Sequence, residues 1–372
     1  MQRIPFDKKE VENFTLIPAT FPGWPDAKVF DYPISPKENY RMVYERKIPV
    51  WLPNRNDSRM ITPRIDNDNL ARVFAFEAQP LTDEDREGNV PRPDKFGIPW
   101  VYVEQVGGSM VEPGNPTLED ANDWQDVINF PDVASWDWAG SAEINKDFAN
   151  TDRWFVYCHL TGFFERLISF MDFEGAAIAL VDPDQKEATH SLLDALADCY
   201  IEIFTNAYNA YPFDSLNFHD DWGAQRAPFY SLDVAMEMLV PHIKKVTDFV
   251  HNDLGVFFDF HSCGNNELLV PAYIAAGADS WSGQPMNDKP MIYDKYGGQM
   301  IFGMDMIIPE GATQPTAEMP LDEAKAIGQN FIDKYIMNYA EKPILGGAFA
   351  GPEGYDEFFY EACRDAFNKI AS

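Results

Sequence analysis

The sequence predicts an α/β fold, a TIM (β/α)8 barrel with an irregular N-terminal extension, and three observations carry that expectation. From about residue 151 onward, short apolar runs alternate with amphipathic helical patterns, the grammar of a parallel sheet covered by helices. None of those runs is followed by a GxGxxG loop, so the marker of a dinucleotide-binding sheet is missing and closure into a barrel is favoured. Residues 1–150 are rich in Pro, Asn and Asp and hold few helical periods. They read as short strands and long loops that cap the barrel, whose main part is residues 151–372.

Each element has a local reason. The strand candidates are the apolar runs Arg153–Leu160, Ser215–Asp220, Gly255–His261, Met300–Met304 and Pro343–Phe349, with a weaker one at Ser280–Gly283. Asp182-Pro183 reads as an N-cap followed by Pro at the first helical position. Leu192, Leu196, Cys199 and Ile203 then recur on one helical face as a buried stripe. Another helix is expected over Val234–Val250, kinked at Pro241, which has no N–H to donate. A last one runs from about Glu353 to the end.

Composition narrows the function. The 372 residues include 29 basic and 60 acidic ones, a net charge of −31. A surface of that sign repels phosphates and anionic lipid, so neither nucleic acid nor membrane is an expected partner. No apolar run approaches the roughly 20 residues that span a bilayer, and the stretch Met1–Glu12 is polar. The four cysteines are widely spaced, without a CxxC pair, as in a cytoplasmic protein with free thiols.

In a barrel, polar residues at the C-terminal ends of strands form the active site. His261 and Cys263 end one strand candidate two residues apart, so an imidazole and a thiolate face one way. Both are preferred zinc ligands, and Asp259 lies on the same face as a third donor. His219, Asp220 and Asp221 end another strand, where adjacent carboxylates serve as acid or base, orient a ligand, or only close a solvated turn. Asp305 ends a third. Arg55 and Arg59, near Trp51, read as surface or as a carboxylate clamp. Cys158, Cys199 and Cys363 read as packed rather than reactive.

Five segments share a family's order. Asp94-Lys95-Phe96-Gly97-Ile98-Pro99-Trp100, followed by Gly107-Gly108-Ser109-Met110, is similar to D-x-F-G-x-x-W … G-G-S/G-M. Gly162-Phe163-Phe164-Glu165-Arg166 is similar to G-x-F-E-R, and His219-Asp220-Asp221-Trp222-Gly223-Ala224-Gln225-Arg226 to G-D-D-W-G-T-Q-R. His261-Ser262-Cys263-Gly264-Asn265 matches H-S-C-G-N. Together they resemble the uroporphyrinogen decarboxylase superfamily, most closely its cobalamin (corrinoid)-dependent methyltransferase branch and the O-demethylase methyltransferases.

The resemblance implies a barrel whose mouth accepts a small methyl donor and a cobalamin carried by a partner corrinoid protein; a homodimer is compatible with it. It also implies zinc, held in related methyltransferases by the His and Cys of this motif and a later Cys. The comparable stretch here, Leu345-Gly346-Gly347-Ala348-Phe349, has no Cys. The third donor is then Asp259, an acidic residue elsewhere, or Cys363. The expected donor is a methoxylated aromatic, whose ether needs a Lewis acid. Asp221, His219 and Asp220 are the expected groups that protonate or orient the leaving oxygen. Trp222 and Trp100 would sandwich the ring, at about 0.5–1.5 kcal/mol per aromatic pair, and Gln284 and Asp305 would line the substrate. Other readings are a metal-free decarboxylase dependent on Arg55 and Arg59, although Asn56-Asp57-Ser58 departs from that family pattern, and a non-catalytic corrinoid-binding member.

Overall fold

The computed structural model describes residues 4–17, 26–86, 91–103, 108–304, 315–346 and 351–371. The chain forms two compact units. One comprises Met1–Arg59, Asp152–Trp154 and Asp288–Ser372; the other comprises Met60–Thr151 and Phe155–Asn287.

Four strands of the second unit form its parallel run: β1 (Trp154–His159, all but its first residue in this unit), β2 (Ser215–His219), β3 (Phe257–Ser262) and β4 (Ser280–Gly283). Each pairs in parallel with the next. These are the sequence-predicted strands within one or two residues. Parallel neighbours need crossovers, and helices supply them: Phe163–Ala179 and Lys186–Ala210 between β1 and β2, Val240–Phe249 before β3, and Val270–Ala275 before β4. The stripe Leu192, Leu196, Cys199 and Ile203 is buried as its spacing requires. Its helix starts at Lys186, later than Asp182-Pro183 suggests, because Asp182 accepts from the Asp184 N–H and the Gln185 amide and closes a separate turn. A π-helical turn at Ala235–Leu239 precedes Pro241, widening the backbone where the proline nitrogen cannot donate.

The register sets the site. Asn217, Asp259 and Ser280 stand opposite one another, and two residues further along so do His219, His261 and Ser282. Residues two apart share a face of the sheet, so these are successive rows on one face. Phe218, Phe258 and Phe260 alternate with them, fully buried on the other face.

Within the first unit, β5 (Ile301–Met304) and β6 (Ile344–Gly346) pair in parallel, with helices Lys289–Tyr296, Leu321–Tyr335 and Tyr355–Ile370. Its core gathers Phe30, Met42, Val50, Trp51 and Tyr360, and Tyr32 stacks on Trp51 at 4.2 Å. Arg364 and Glu10 form a buried ion pair at 2.9 Å.

The parallel α/β alternation of a TIM-like fold is present, while closure into eight strands is not shown among the described residues. Residues before 150 supply the strand Ser58–Ile61 and two antiparallel sets, Phe14–Ile17 with Ala27–Phe30 and Arg92–Pro93 with Pro99–Val103 and Gly108–Val111. Among the described residues, no helix is long and apolar enough to cross a membrane.

Candidate metal centre

The ends of β2 and β3 bring His219, Asp221, His261 and Cys263 together, one ligand atom of each lying within 4.8 Å of all the others. Cys263 Sγ is 3.5 Å from His261 Nε2, and Asp221 Oδ1 is 3.6 Å from His219 Nε2. Around tetrahedral zinc with Zn–S of about 2.3 Å and Zn–N of about 2.0–2.1 Å, an S···N edge is about 3.6 Å and an N···O edge about 3.4 Å. The Cys263–His261 edge fits zinc, and the His219–Asp221 separation puts a carboxylate beside the same centre.

Hydrogen bonds to backbone hold these groups in place. Asp220, fully buried, accepts from the Phe164 and Glu165 N–H groups at 3.0 and 2.9 Å and from Trp222 Nε1 at 2.8 Å. It thereby caps the helix Phe163–Ala179 and ties that helix to the strand end carrying His219 and Asp221. The residue before the helix must be Gly162, since a Cβ there would lie 2.4 Å from the Asp220 side chain. On the β3 side, the Cys263 N–H donates to Asp221 Oδ1 at 2.6 Å. The Cys263 carbonyl accepts from Asn266, and the Gly264 N–H donates to Gln284 at 2.8 Å. Gly264 has φ +92, and a Cβ would lie 2.2 Å from the Gly223 carbonyl oxygen.

The second nitrogen of each imidazole is engaged away from the centre. His219 Nδ1–H donates to Glu165 Oε2 at 2.9 Å, and His261 Nδ1 shares a hydrogen bond with Ser282 Oγ at 3.2 Å. The rings stack with centroids 4.8 Å apart. Burial opposes charge on His219, but the Asp221 and Glu165 carboxylates outweigh it and hold its pKa well above the ordinary histidine value. Burial, reinforced by the neighbouring His219 cation, pushes His261 down to about 4. Burial also raises the Cys263 thiol. Burial acts to raise Asp221, yet His219, His261 and the Cys263 N–H prevail and keep it below the usual carboxylate range.

The other sequence-predicted residues sit elsewhere. Asp259 is one row deeper, accepts from the Ser280 hydroxyl, and is not part of the four-residue cluster. Trp222, expected against a substrate ring, is fully buried among Phe260, Tyr273 and Tyr230. Trp100 is also buried, with Nε1 donating to Asp94 at 3.0 Å and Arg72 over its ring. Gln284 holds the Gly264 backbone. Asp220 is spent on its helix cap, Cys363 is buried in helix Tyr355–Ile370, and Asp305 lies outside the described residues.

Sequence reasoning assigned no role to Glu165, Ser282, Asn266 or Arg72. Glu165 lay inside a quoted motif. The other three carry no signal before β1, β3 and β4 are set side by side.

No protein-family model matches the chain. No curated protein matches it either. Among solved structures, a methyltransferase from Methanosarcina mazei is similar over 91% of this chain and 100% of its own, with a TM-score of 0.53 and 12% identity. At that identity the likeness shows the fold alone. TcOYE with pHBA (12% identity, 65% of this chain and 80% of that one, TM-score 0.30) carries no argument. Nor does an Ostrinia furnacalis Group IV chitinase in complex with allosamidin (13% identity, 62% and 55%, TM-score 0.27).

Proposed function

We propose that this chain is a zinc-dependent methyltransferase that moves a methyl group from a small donor, in the favoured case a methoxylated aromatic, to a corrinoid carried by a partner protein. The observation that carries the reading is the convergence of His219, Asp221, His261 and Cys263 at the C-terminal ends of two adjacent parallel strands, where such folds place their chemistry. The motif resemblance and a fold shared with a protein described as a methyltransferase support it.

His219 Nε2, His261 Nε2 and Cys263 Sγ are the three protein donors of this reading, since a catalytic zinc keeps a fourth position open. When bound, zinc supplies Lewis-acid polarisation of the ether oxygen, an otherwise poor leaving group. Asp221, its Oδ1 accepting from the Cys263 N–H, stands beside these three donors, within reach of a group that would occupy the fourth position. As an ionised carboxylate it accepts from and orients a hydroxyl or water there. Glu165 and Ser282 engage the Nδ1 atoms of His219 and His261, so Nε2 is the nitrogen each neutral ring would offer to the metal.

The test is zinc-loaded protein incubated with methoxylated aromatics and a reduced corrinoid protein, following phenol release and the corrinoid spectrum. Release that disappears in His261→Ala and Cys263→Ala is expected. Release at an unchanged rate by zinc-free protein overturns the metal's role. Zinc-loaded protein that demethylates none of the aromatics overturns the donor class.

A further inference from the structure

We propose that Glu165, itself held by Arg72, is the positioning residue that makes His219 a metal ligand; the proposal rests on the zinc reading above. The geometry is a closed circuit. His219 Nδ1–H donates to Glu165 Oε2 at 2.9 Å, while Arg72 Nη1 reaches Glu165 Oε1 at 2.8 Å. The two carboxylate oxygens are thus occupied from opposite sides by a ring donor and a guanidinium. Arg72 is fixed in turn by the Thr161 hydroxyl at 3.2 Å and by the Trp100 ring, 5.1 Å below its guanidinium carbon. The Glu165 backbone is fixed as well, because its N–H donates to Asp220, the residue after His219.

A carboxylate can only accept, so Glu165 keeps a proton on Nδ1, and the proton that leaves when the ring becomes a ligand is the one on Nε2. It also sets the plane of the ring, since imidazole accepts one orientation when one nitrogen is tethered. Nε2 then lies in the group with Asp221, His261 and Cys263. Carboxylates in this relation to a metal-bound histidine orient it and strengthen its donor. The motif Gly162-Phe163-Phe164-Glu165-Arg166 gains a physical reason from this. Gly162 admits the Asp220 cap, Glu165 returns to His219, and Arg166 pairs with Asp68 and Asp94.

The experiment is zinc affinity by competition with a chromophoric chelator, on the full chain, for wild type, Glu165→Gln, Glu165→Leu and Arg72→Gln, with His219→Ala as the reference for a lost ligand. Circular dichroism and melting confirm folding. Glu165→Leu should bind zinc about 10–100-fold more weakly, approaching His219→Ala. Glu165→Gln, whose amide oxygen still accepts from Nδ1–H, should recover most of that loss. Arg72→Gln reaches neither the ring nor the other ligands and should give a smaller loss in the same direction; it serves as the test if Glu165→Leu does not fold. Glu165→Leu binding like wild type overturns the proposal, as does Glu165→Gln binding no better than Glu165→Leu, which would make charge rather than ring placement the cause. Wild-type protein that binds no zinc overturns the zinc reading itself, a separate result.

Discussion

Zinc binding at the His219, His261 and Cys263 centre should release two protons, and the perturbation that exposes this is pH. Zinc takes a thiolate and neutral imidazoles. In the metal-free protein the Cys263 thiol is raised by burial and stays protonated near neutrality. Despite burial, the Asp221 and Glu165 carboxylates hold His219 as an imidazolium. His261, pushed down to about 4, is already neutral. The sign follows: both raised groups must lose a proton to bind, so affinity grows with pH. Each proton contributes about 1.4 kcal/mol per pH unit, and two contribute about 2.7 kcal/mol, about a hundredfold in Kd per unit. The window opens above the His261 value, at about pH 5, and closes where the first of the two raised groups, His219 or Cys263, loses its proton unaided. Chelator competition at pH 6.5 and 7.5 reads the slope. Calorimetry in two buffers of different ionisation heat counts the protons. His219→Ala should reduce the slope to about tenfold per unit. A wild-type slope near zero or near tenfold would refute the assignment of protonation states.

The remaining predictions concern positions that the fold separates. Asp259→Asn should leave zinc stoichiometry at the wild-type value, because Asp259 sits one row below the centre against Ser280; elemental analysis beside His261→Ala decides it, and loss of the metal would return Asp259 to the ligand set. Gly162→Ala should destabilise the fold by about 1–3 kcal/mol, since its Cβ would press on Asp220 and Phe218 at 2.4 and 2.7 Å; an unchanged urea midpoint would show that the strand end is free to shift. Arg166→Met should cost about 3–5 kcal/mol in thermal or chemical unfolding, because Asp94 loses its ion pair and Asp68 keeps only Lys95 at 3.0 Å. A near-neutral result there would mean that the apolar side chain packs well enough to replace the ion pairs it removes.

Much of the second unit was legible because its signals are local. Strands β1 to β3 are short apolar runs bounded by polar residues, while Ser280–Gly283, with one apolar side chain, gave the weaker signal. The stripe from Leu192 to Ile203 buries where its spacing says it must. His261 and Cys263 were legible for the same reason: two residues apart on an extended chain, they face one way. Asp259 shares that face, but the same arithmetic puts it a full row, about 6.6 Å, further down the strand. What completes the cluster is a residue pair from the neighbouring strand, and that depends on register, which one strand's sequence does not contain. Trp222 and Asp220 misled for a related reason. Their expected roles came from the motif resemblance, and only the folded structure sets the helix N-terminus and the Trp222 indole N–H against the Asp220 carboxylate. Glu165 and Arg72 lie far apart in sequence, and nothing short of the folded strand end joins them to His219.

Zinc K-edge X-ray absorption on the zinc-loaded protein tests the centre most directly. One sulfur at about 2.3 Å and two imidazole nitrogens at about 2.0–2.1 Å, with one further light donor, are the expected shell. Loss of the sulfur in Cys263→Ala and of one imidazole in His219→Ala should follow. A shell without sulfur, or one that keeps both imidazoles when His219 is removed, would contradict the metal centre proposed here.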